Sequence, residues 1–352
     1  MISSKQRVIA AAEHKTADRT AITFDAEKEV YELLYSHFKT SEKKVLFDRL
    51  GCDTWMILPQ GFFPEPTGGP DGAAVNIWGV EYIDAHYSGG VYQEIHKSPL
   101  AGRDSLSDID NWQVPGADAV KFGHFRDEAA ANRERAVIGV FTHGPYFIAT
   151  DVRGMENLMM DFGLNRSYAA KLIEKITQPC LAYLENMLEN HGDGIDIVYM
   201  ADDYCSQDAP LFSPADFREF VMPYLTKFVE ITHKHGKKFL LHCCGAVRPL
   251  LPMIIEAGVD MLEPIQIRAA GMEPEGLKRD FGKDICFYGG VDLQQILCKG
   301  SPAQVSDEVK RLIDILGRDG GYVLGPGHTY IQIDAPLENI LAMYKTAVEY
   351  RP

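Results

Sequence analysis

His242 and Cys244 are the residues whose types and spacing most directly suggest chemistry. They end the apolar run KFLL at 238–241, stand one residue apart, and are followed by Gly245. Side chains alternate along a strand, so both residues point the same way. Imidazole nitrogen and thiolate sulfur are preferred zinc ligands. The pair is also compatible with packing, since a buried cysteine acts as a small hydrophobe and a lone histidine is often a satisfied core group.

The elements around this pair alternate between apolar strands and helices. Core strands are predicted at 52–59, 136–141, 195–201, 238–243, 258–263, 285–288 and 321–324, with an eighth near 21–24 or 80–97. Helices are predicted at 4–15, 27–50, 166–190, 214–235, 247–257, 273–281, 302–316 and 337–350. This alternation is typical of parallel β-structure covered by helices. We therefore expect an α/β fold of the (β/α)8 TIM-barrel type, and the lack of a Gly-x-Gly-x-x-Gly after a first strand disfavours a dinucleotide-binding fold.

In such a barrel the active site lies at the C-terminal ends of the strands, which we call the mouth. Two further ligand types follow later strands, Glu263 and His328. With His242 and Cys244 they offer nitrogen, sulfur, oxygen and nitrogen ligands, a set suited to tetrahedral zinc. Glu263 could instead cap a helix or pair with Arg268, and His328 could be a hydrogen-bond donor to substrate.

Other strand ends supply candidates for catalysis and substrate binding. Asp202, Asp203 and Tyr204 follow the strand at 195–201 and are candidate catalytic residues, although acidic residues in such positions often hold loop amides. The candidates for substrate binding are Tyr146, Phe62, Trp78, Gln207 and Asp292. Phe62, Phe63, Trp78 and Tyr146 could together form an aromatic pocket.

The stretch 61–100 differs in composition from the rest and is rich in proline, glycine and aromatic residues. We predict a long loop with a β-hairpin, 76–83 against 90–97, laid over the mouth of a single barrel domain that spans 1–352, with 1–50 as an N-terminal helical extension. An ordered insertion of this length is often a lid or binding loop, and a dimer contact is the alternative.

Composition limits the partners. There are 35 Lys and Arg against 50 Asp and Glu, a formal net charge of −15. This charge repels nucleic acid and anionic membranes, so neither is expected as a partner. No segment has transmembrane length and the first residues lack the apolar core of a signal peptide, which predicts a cytoplasmic protein. Seven scattered cysteines, an odd number, argue against a disulfide framework.

Four segments resemble the uroporphyrinogen decarboxylase superfamily, and in particular its corrinoid-linked methyltransferase branch. They are LHCCGAV at 241–247, DMLEPIQ at 260–266, YGGVD at 288–292 and GYVLGPGH at 321–328 with PLENI at 336–340. In that branch a His-x-Cys pair and a late cysteine hold zinc at the mouth. This sequence matches the pair and has His328 near the place of the late cysteine. The Arg-Gln-Ala-Gly-Arg segment of the decarboxylases is replaced here by RVIAAAEHKTADRTAITF at 7–24.

The resemblance implies a zinc-dependent methyltransferase. A neutral imidazole in place of a thiolate makes the metal a stronger Lewis acid, suited to a leaving oxygen. We therefore expect methyl transfer from an O-methyl ether, such as a methoxylated aromatic, to the Co(I) corrinoid of a partner protein. The alternatives are a metal-free decarboxylase with Asp202 or Asp203 as proton donor, a methylcorrinoid-to-thiol methyltransferase, and a non-catalytic assembly role. A homodimer is possible.

Overall fold

The computed structural model describes residues 2–62, 65–66, 73–87 and 90–351, and contains a parallel sheet that forms a nearly closed barrel. In chain order the strands are β1 Ala21–Ile22, β2 Thr54–Ile57, β3 Glu65–Pro66, β4 Ala74–Val75, β5 Glu81–Tyr87, β6 Gly90–Lys97, β7 Ala136–His143, β8 Ile197–Ala201, β9 Lys238–His242, β10 Met261–Glu263, β11 Cys286–Val291 and β12 Tyr322–Pro326. The barrel sheet has the order β1-β12-β11-β10-β9-β8-β7-β2, with all pairs parallel. The predicted (β/α)8 TIM barrel is confirmed, and β1 is the eighth strand expected near 21–24.

Helices surround the barrel. They are α1 Ser4–Ala12, α2 Lys28–Phe38, α3 Lys43–Leu50, α4 Leu106–Asn111, α5 Phe125–Ala131, α6 Pro145–Arg153, α7 Met155–Leu164, α8 Arg166–His191, α9 Pro214–Asp216, α10 Met222–Lys234, α11 Leu251–Glu256, α12 Pro274–Phe281, α13 Pro302–Leu316 and α14 Leu337–Glu349. A π-helical turn, Phe217–Val221, joins α9 to α10. None of the helices in the described ranges is both long enough and apolar enough to cross a membrane.

The N-terminal fifty residues differ from the helical extension that we predicted. The predicted helix 27–50 is two helices, α2 and α3, because Lys39 adopts a left-handed conformation with φ of 52° and ends α2. The same region supplies barrel strand β1. Val8 and Ala11 of α1 pack on the barrel interior. Residues 1–50 are therefore part of the barrel and not an addition to it.

The contact between β1 and β2 depends on side chains at the N-terminal end of the barrel. The main-chain N–H of Asp53 donates to the carbonyl of Ile22 at 2.7 Å, and the N–H of Ile22 donates to Oδ2 of Asp53 at 2.9 Å. Asp53 is fully buried and also accepts hydrogen bonds from Arg7 and Arg19, each at 2.6 Å at the shortest. A charged cluster thus holds the two outermost strands of the sheet together.

The insertion folds as a separate four-stranded antiparallel sheet in the order β3-β4-β5-β6. The predicted hairpin exists, but its first strand is β5, Glu81–Tyr87, and not 76–83. The difference arises because Asn76 forms a turn: its Oδ1 accepts the N–H groups of Trp78 and Val80 at 2.9 and 3.0 Å. Phe63, which we had placed in the aromatic pocket, lies outside the described residues.

Candidate functional site

Four neighbouring strands end in a row of inward-facing positions at the mouth. His143 of β7 is in register with Ala201 of β8, Ala201 with His242 of β9, and His242 with Glu263 of β10. Residues in register on parallel strands point to the same face. Because Tyr199 and Ala201 face the barrel interior, the whole row does. The barrel therefore places two imidazoles and a carboxylate at the top of its interior.

His242, Cys244 and Asp203 form a compact cluster of potential metal ligands. Cys244 Sγ lies 3.4 Å from Nε2 of His242, and Asp203 Oδ1 lies 3.6 Å from the same nitrogen. One ligand atom from each residue lies within 4.8 Å of the others. Asp203 also accepts the main-chain N–H of Cys244 at 2.7 Å. His242 and Cys244 thus lie on one side, as strand alternation predicts, while Cys243 is buried and its Sγ accepts the N–H of Tyr204 at 3.4 Å.

Glu263 fixes the orientation of His242. Nδ1 of His242 donates to Oε2 of Glu263 at 2.5 Å, which leaves Nε2 directed at Cys244 and Asp203. Glu263 also accepts the hydroxyl groups of Tyr199 at 3.2 Å and Thr329 at 3.1 Å. Burial alone would lower the pKa of His242, but the charges and hydrogen bonds of Glu263 and Cys244 together outweigh it and raise that pKa well above its usual value. The same ion pair outweighs the effect of burial on Glu263 and lowers its pKa.

The structure does not bring Glu263 and His328 into the ligand cluster. Glu263 contacts Nδ1 of His242, the ring nitrogen that faces away from Cys244. It therefore orients the imidazole and does not join the potential ligand atoms. The ring of His328 lies across the mouth, with its centroid 6.5 Å from that of His242, and its Nδ1 accepts the N–H of Tyr330 at 3.4 Å. Burial lowers the pKa of His328, and the nearby positive charge of His242 lowers it further.

Two glutamines support Cys244 from the other side. Gln266 donates from Nε2 to Sγ of Cys244 at 3.5 Å and accepts the N–H of Gly245 at 2.9 Å. Gln207, which we predicted to bind substrate, donates to Oε1 of Gln266 at 2.5 Å. Gly245 has a φ of 88°, and a Cβ there would lie 2.2 Å from the carbonyl oxygen of Ser206. The glycine is therefore required for the chain to turn directly after the ligand pair.

Asp202 is enclosed, unlike its neighbour Asp203. It is fully buried and accepts three hydrogen bonds, from the N–H of Phe147 at 2.6 Å and from the hydroxyls of Tyr204 at 2.9 Å and Tyr224 at 2.7 Å. Burial raises the pKa of Asp202 to about 7, although these three donors oppose it. A Cβ at position 144 would lie 2.1 Å from Oδ2 of Asp202, so Gly144 is needed for this approach. Asp202 and Tyr204 thus join β8 to α6 and α10.

The predicted aromatic pocket is only partly assembled from the residues we named. Phe62 and Trp78 line a cavity of about 330 Å³ between the insertion and the barrel, together with Tyr82, His143, Phe147 and Asp151. Tyr146 is instead fully buried among aromatic rings behind the strand ends, 4.9 Å from Phe212 between centroids. Phe147 and Ile148 line the cavity from that turn of α6, whereas Tyr146 lies on another side of the helix.

Asp292 and His328 line a second cavity at the mouth. It has a volume of about 280 Å³ and is bordered by Gln207, Gln266, Arg268 and Gln332. Asp292 accepts the N–H groups of Gln294 and Gln295 and lies 3.1 Å from the guanidinium of Arg268. The predicted pairing of Arg268 thus occurs with Asp292 and not with Glu263. A larger cavity of about 570 Å³ lies near Arg7 and Arg19, at the opposite end of the barrel.

Sequence reasoning missed several residues of the site. Tyr199 and Thr329 donate hydrogen bonds to Glu263. The sequence could have indicated both, because Tyr199 lies on the inward-facing side of β8 and Thr329 directly follows His328. Phe147 and Asp151 face the cavity beside the insertion, but they lie inside α6, a helix whose sequence says nothing about which residues meet the insertion.

Comparison with known proteins agrees with this architecture. Residues 99–350 match the uroporphyrinogen decarboxylase family (URO-D). Uroporphyrinogen decarboxylase 2, chloroplastic, of Arabidopsis thaliana is 27% identical over 181 residues, 51% of this chain and 42% of that protein. Uroporphyrinogen decarboxylase of Anaeromyxobacter sp. (strain Fw109-5) is 25% identical over 225 residues, 61% of this chain and 59% of that protein. The matches span about half the length of these curated relatives.

A solved structure resembles the whole described fold. A methyltransferase from Methanosarcina mazei superposes with a TM-score of 0.71 and 19% sequence identity over 99% of both chains. At this identity the likeness concerns the fold. Since the family match extends over most of the sequence and through every strand from β7 to β12, the chain belongs to the uroporphyrinogen decarboxylase family.

Proposed function

We propose that this protein is a zinc-dependent methyltransferase that moves a methyl group from an O-methyl ether to the Co(I) corrinoid of a separate protein. In this reaction the C–O bond of the donor breaks, the methyl group passes to cobalt, and the released oxygen takes up a proton. The observation that carries the proposal is the cluster of His242, Cys244 and Asp203, whose ligand atoms lie within 4.8 Å of one another at the barrel mouth.

The donor set fits zinc. One nitrogen, one sulfur and one oxygen ligand leave a fourth position open, as in catalytic zinc sites. The hydrogen bond from Nδ1 of His242 to Glu263 resembles the carboxylate–histidine–zinc arrangement, which fixes the tautomer and leaves Nε2 as the ligand atom. A bound zinc would supply Lewis acidity toward the oxygen of the donor.

The chain's own residues position these ligands. Glu263, held by Tyr199 and Thr329, orients the imidazole, and Gln266 fixes the thiol of Cys244. Of the three candidate catalytic residues, Asp203 is the one whose carboxylate reaches the cluster, and about a third of its side chain is exposed. We therefore assign Asp203 as the third ligand. Asp202 and Tyr204 hold the loop that carries it.

The decarboxylase alternative is supported by the names of the curated relatives. It requires cations for a substrate with several carboxylates. Arg7 and Arg19, the arginines of the N-terminal segment, are bound to Asp53 at the opposite end of the barrel. Arg268 at the mouth is paired with Asp292. Methyl transfer is favoured because these arginines do not face the ligand cluster, and because a solved methyltransferase shares the fold.

The experiment is the zinc content of protein purified without chelator, followed by methyl transfer to a Co(I) corrinoid protein with methoxylated aromatics as donors. We expect about one zinc per chain. The double variant His242→Ala, Cys244→Ala should lose both zinc and activity while retaining its circular dichroism. Cys298→Ala, which removes another free and partly exposed thiol, is the matched control.

Absence of metal in the native protein would contradict the zinc mechanism, and decarboxylase activity that resists chelation would favour metal-free decarboxylation. A second measurement addresses Glu263. Glu263→Ala should weaken zinc binding about 10- to 100-fold in a chelator competition, because the imidazole loses its orienting partner. Glu263→Gln, which can still accept from Nδ1, should weaken it less. Equal zinc affinity in all three proteins would remove Glu263 from this role.

A further inference from the structure

The cavity beside the insertion, which we call the side chamber, has an aromatic lining and one carboxylate. Its lining includes Phe62, Trp78, Tyr82, His143, Phe147 and Asp151. The rings of Phe62 and His143 are 4.4 Å apart, and those of His143 and Phe147 are 4.6 Å apart and nearly parallel. At about 330 Å³ the chamber is of the size that holds a small organic molecule. Flat aromatic walls favour a flat aromatic ligand, since offset stacking adds to the burial of apolar area.

The wall of the side chamber and the ligand cluster lie on neighbouring barrel strands. His143 lies in its wall, and His143, Ala201 and His242 are in register on three adjacent strands. Two strand spacings separate the Cα atoms of His143 and His242 by about 10 Å. One benzene ring with its methoxy group is comparable to that distance. A ligand whose ring lies in the chamber can therefore present its methoxy group toward the ligand cluster.

Among the described residues that line this chamber, Asp151 is the charged group and no other supplies a counter-charge. Its Oδ2 accepts the hydroxyl of Tyr82 at 3.0 Å, and Tyr82 in turn accepts from the amide of Asn76 at 3.2 Å. Within the part of the chain that the structure describes, no lysine, arginine or histidine lies within ion-pair distance of Asp151. Burial raises the pKa of Asp151 to about 6, against the effect of the Tyr82 hydrogen bond.

The other lining groups do not compensate this charge. Among the described lining residues there is no lysine or arginine. Burial lowers the pKa of His143 to about 4, so this imidazole is neutral at pH 7. A ligand that brings a carboxylate would meet the negative charge of Asp151, which is costly. A ligand that brings a hydrogen-bond donor would complete the solvation of Asp151.

We propose that the side chamber binds the ring of an aromatic methyl ether and that Asp151 accepts a hydrogen bond from a second ring substituent, a hydroxyl or an ammonium. The substrates are then methoxyphenols and related donor-bearing ethers, and methoxybenzoates are rejected. The choice of a methyl ether as the reacting group rests on the proposed function. Recognition of the aromatic ring and of its hydrogen-bond donor does not depend on that function. Asp151 and Tyr82 are thus assigned as residues that determine specificity.

The test is a binding series measured by titration calorimetry on the full chain, without corrinoid protein. The probes are 4-methoxyphenol, methoxybenzene, 4-methoxybenzoate and 4-methoxybenzylamine. We expect 4-methoxyphenol to bind at least about tenfold tighter than methoxybenzene, because it adds one hydrogen bond to a charged acceptor. The amine shows whether a charged donor is preferred to a neutral one. Equal binding of methoxybenzene, or tightest binding of 4-methoxybenzoate, would overturn the proposal.

The variant Asp151→Asn tests whether the ligand preference arises from the carboxylate of Asp151. The asparagine oxygen can still accept from Tyr82, but its NH2 group then faces the chamber and donates. The variant should lose the preference for 4-methoxyphenol and bind 4-methoxybenzoate more tightly than the native chain does. Asp84→Asn, at an exposed carboxylate of β5, is the matched control and should retain native preferences. Unchanged preferences in Asp151→Asn would sink the assignment, and the native ligand series tests it even if this variant does not fold.

The pH dependence gives a third readout. Tyr82 on β5 and His143 on β7 are the other titratable groups that line the chamber, and neither changes charge between pH 5 and 8. Discrimination against 4-methoxybenzoate should therefore weaken as pH falls through about 6, where Asp151 takes up a proton. If the ligands bind as expected but no methyl transfer occurs with a corrinoid protein, the proposed function fails and the chamber assignment stands. Methyl transfer without the expected ligand preference would support the proposed function and overturn the chamber assignment.

Discussion

Two adjacent acidic residues, Asp202 and Asp203, show how strongly a carboxylate depends on its surroundings. Asp203 reaches His242 and the amide of Cys244 at the mouth. Asp202 points into the protein, where one N–H and two phenolic hydroxyls donate to it. The sequence presented both as candidates for catalysis. Their geometry makes Asp203 a candidate metal ligand and Asp202 a group that fixes the loop.

Replacement of Asp202 provides a prediction at this scale. Asp202→Ala leaves three buried donors unpaired and should lower the free energy of unfolding by about 2–4 kcal/mol. Asp202→Asn should cost less, because its oxygen can face the N–H of Phe147 while its NH2 faces hydroxyls that rotate to accept. Urea unfolding measures the difference, and Asp84→Ala at an exposed position is the control.

The pH dependence of stability follows from the same residue. The folded-state pKa of Asp202 is raised to about 7, so between pH 4 and 7 the folded chain holds a proton that the unfolded chain releases. Because the folded chain holds the extra proton, the contribution of Asp202 to the free energy of unfolding decreases as pH rises through this range. Asp202→Asn lacks this contribution, and its stability relative to the native chain should increase with pH. A parallel pH dependence in the two proteins would contradict the assignment.

Among the elements, α6 connects the insertion to the barrel. Phe147 and Asp151, one helical turn apart, face the side chamber. The last residue of α6, Arg153, is buried and binds Asp161 while donating to the carbonyls of Leu100 and Arg103. One helix therefore carries three chamber residues, since Ile148 also lines the cavity, and the group that anchors the end of the insertion. Its sequence predicts a helix but not these partners.

Arg153→Met should loosen that anchor. The variant leaves Asp161 buried without its partner and frees the two carbonyls that Arg153 binds. We expect amides of residues 98–104 to exchange at least about tenfold faster than in the native chain, as local hydrogen bonds are lost. Hydrogen exchange with mass spectrometry measures this. Arg126→Met, at an exposed ion pair, is the control, and similar exchange in both variants would assign no anchoring role to Arg153.

At the scale of the whole molecule, the barrel depends on the contact between its first and last strands along the sheet, β1 and β2. Asp53 accepts from Arg7, Arg19 and the N–H of Ile22 in a fully buried position. These interactions lie at the end of the barrel opposite the ligand cluster. Stability and chemistry are therefore separated along the barrel axis, as is usual in this architecture.

Asp53→Asn should destabilise the whole domain. Removing the negative charge leaves two largely buried guanidinium groups without their shared partner, which costs about 3–5 kcal/mol. The urea midpoint should fall, while zinc affinity of the folded protein stays within about twofold because the ligand cluster is distant. Glu134→Gln at an exposed position is the control. A loss of zinc binding without loss of stability would contradict this separation.

The sequence alone determined the features that depend on local periodicity. Strand alternation placed His242 and Cys244 on one side, and the succession of apolar strands and helices predicted a parallel barrel with its chemistry at the strand ends. It also named Phe62 and Trp78 as candidates for an aromatic pocket, and both line the side chamber. The parallel barrel and the common side of His242 and Cys244 could be predicted because side-chain direction in a strand, and the common direction of parallel strands, follow from backbone geometry.

Only the tertiary structure decided how the polar groups are paired. It placed Glu263 behind His242, enclosed Asp202, turned Tyr146 into the core and brought Asp151 to the side chamber. Each outcome depends on contacts between residues far apart in sequence. The sequence does not indicate whether a given carboxylate binds an imidazole, an amide or a hydroxyl. The physical reason is that local periodicity sets direction, whereas distance between side chains is set by packing of the whole barrel.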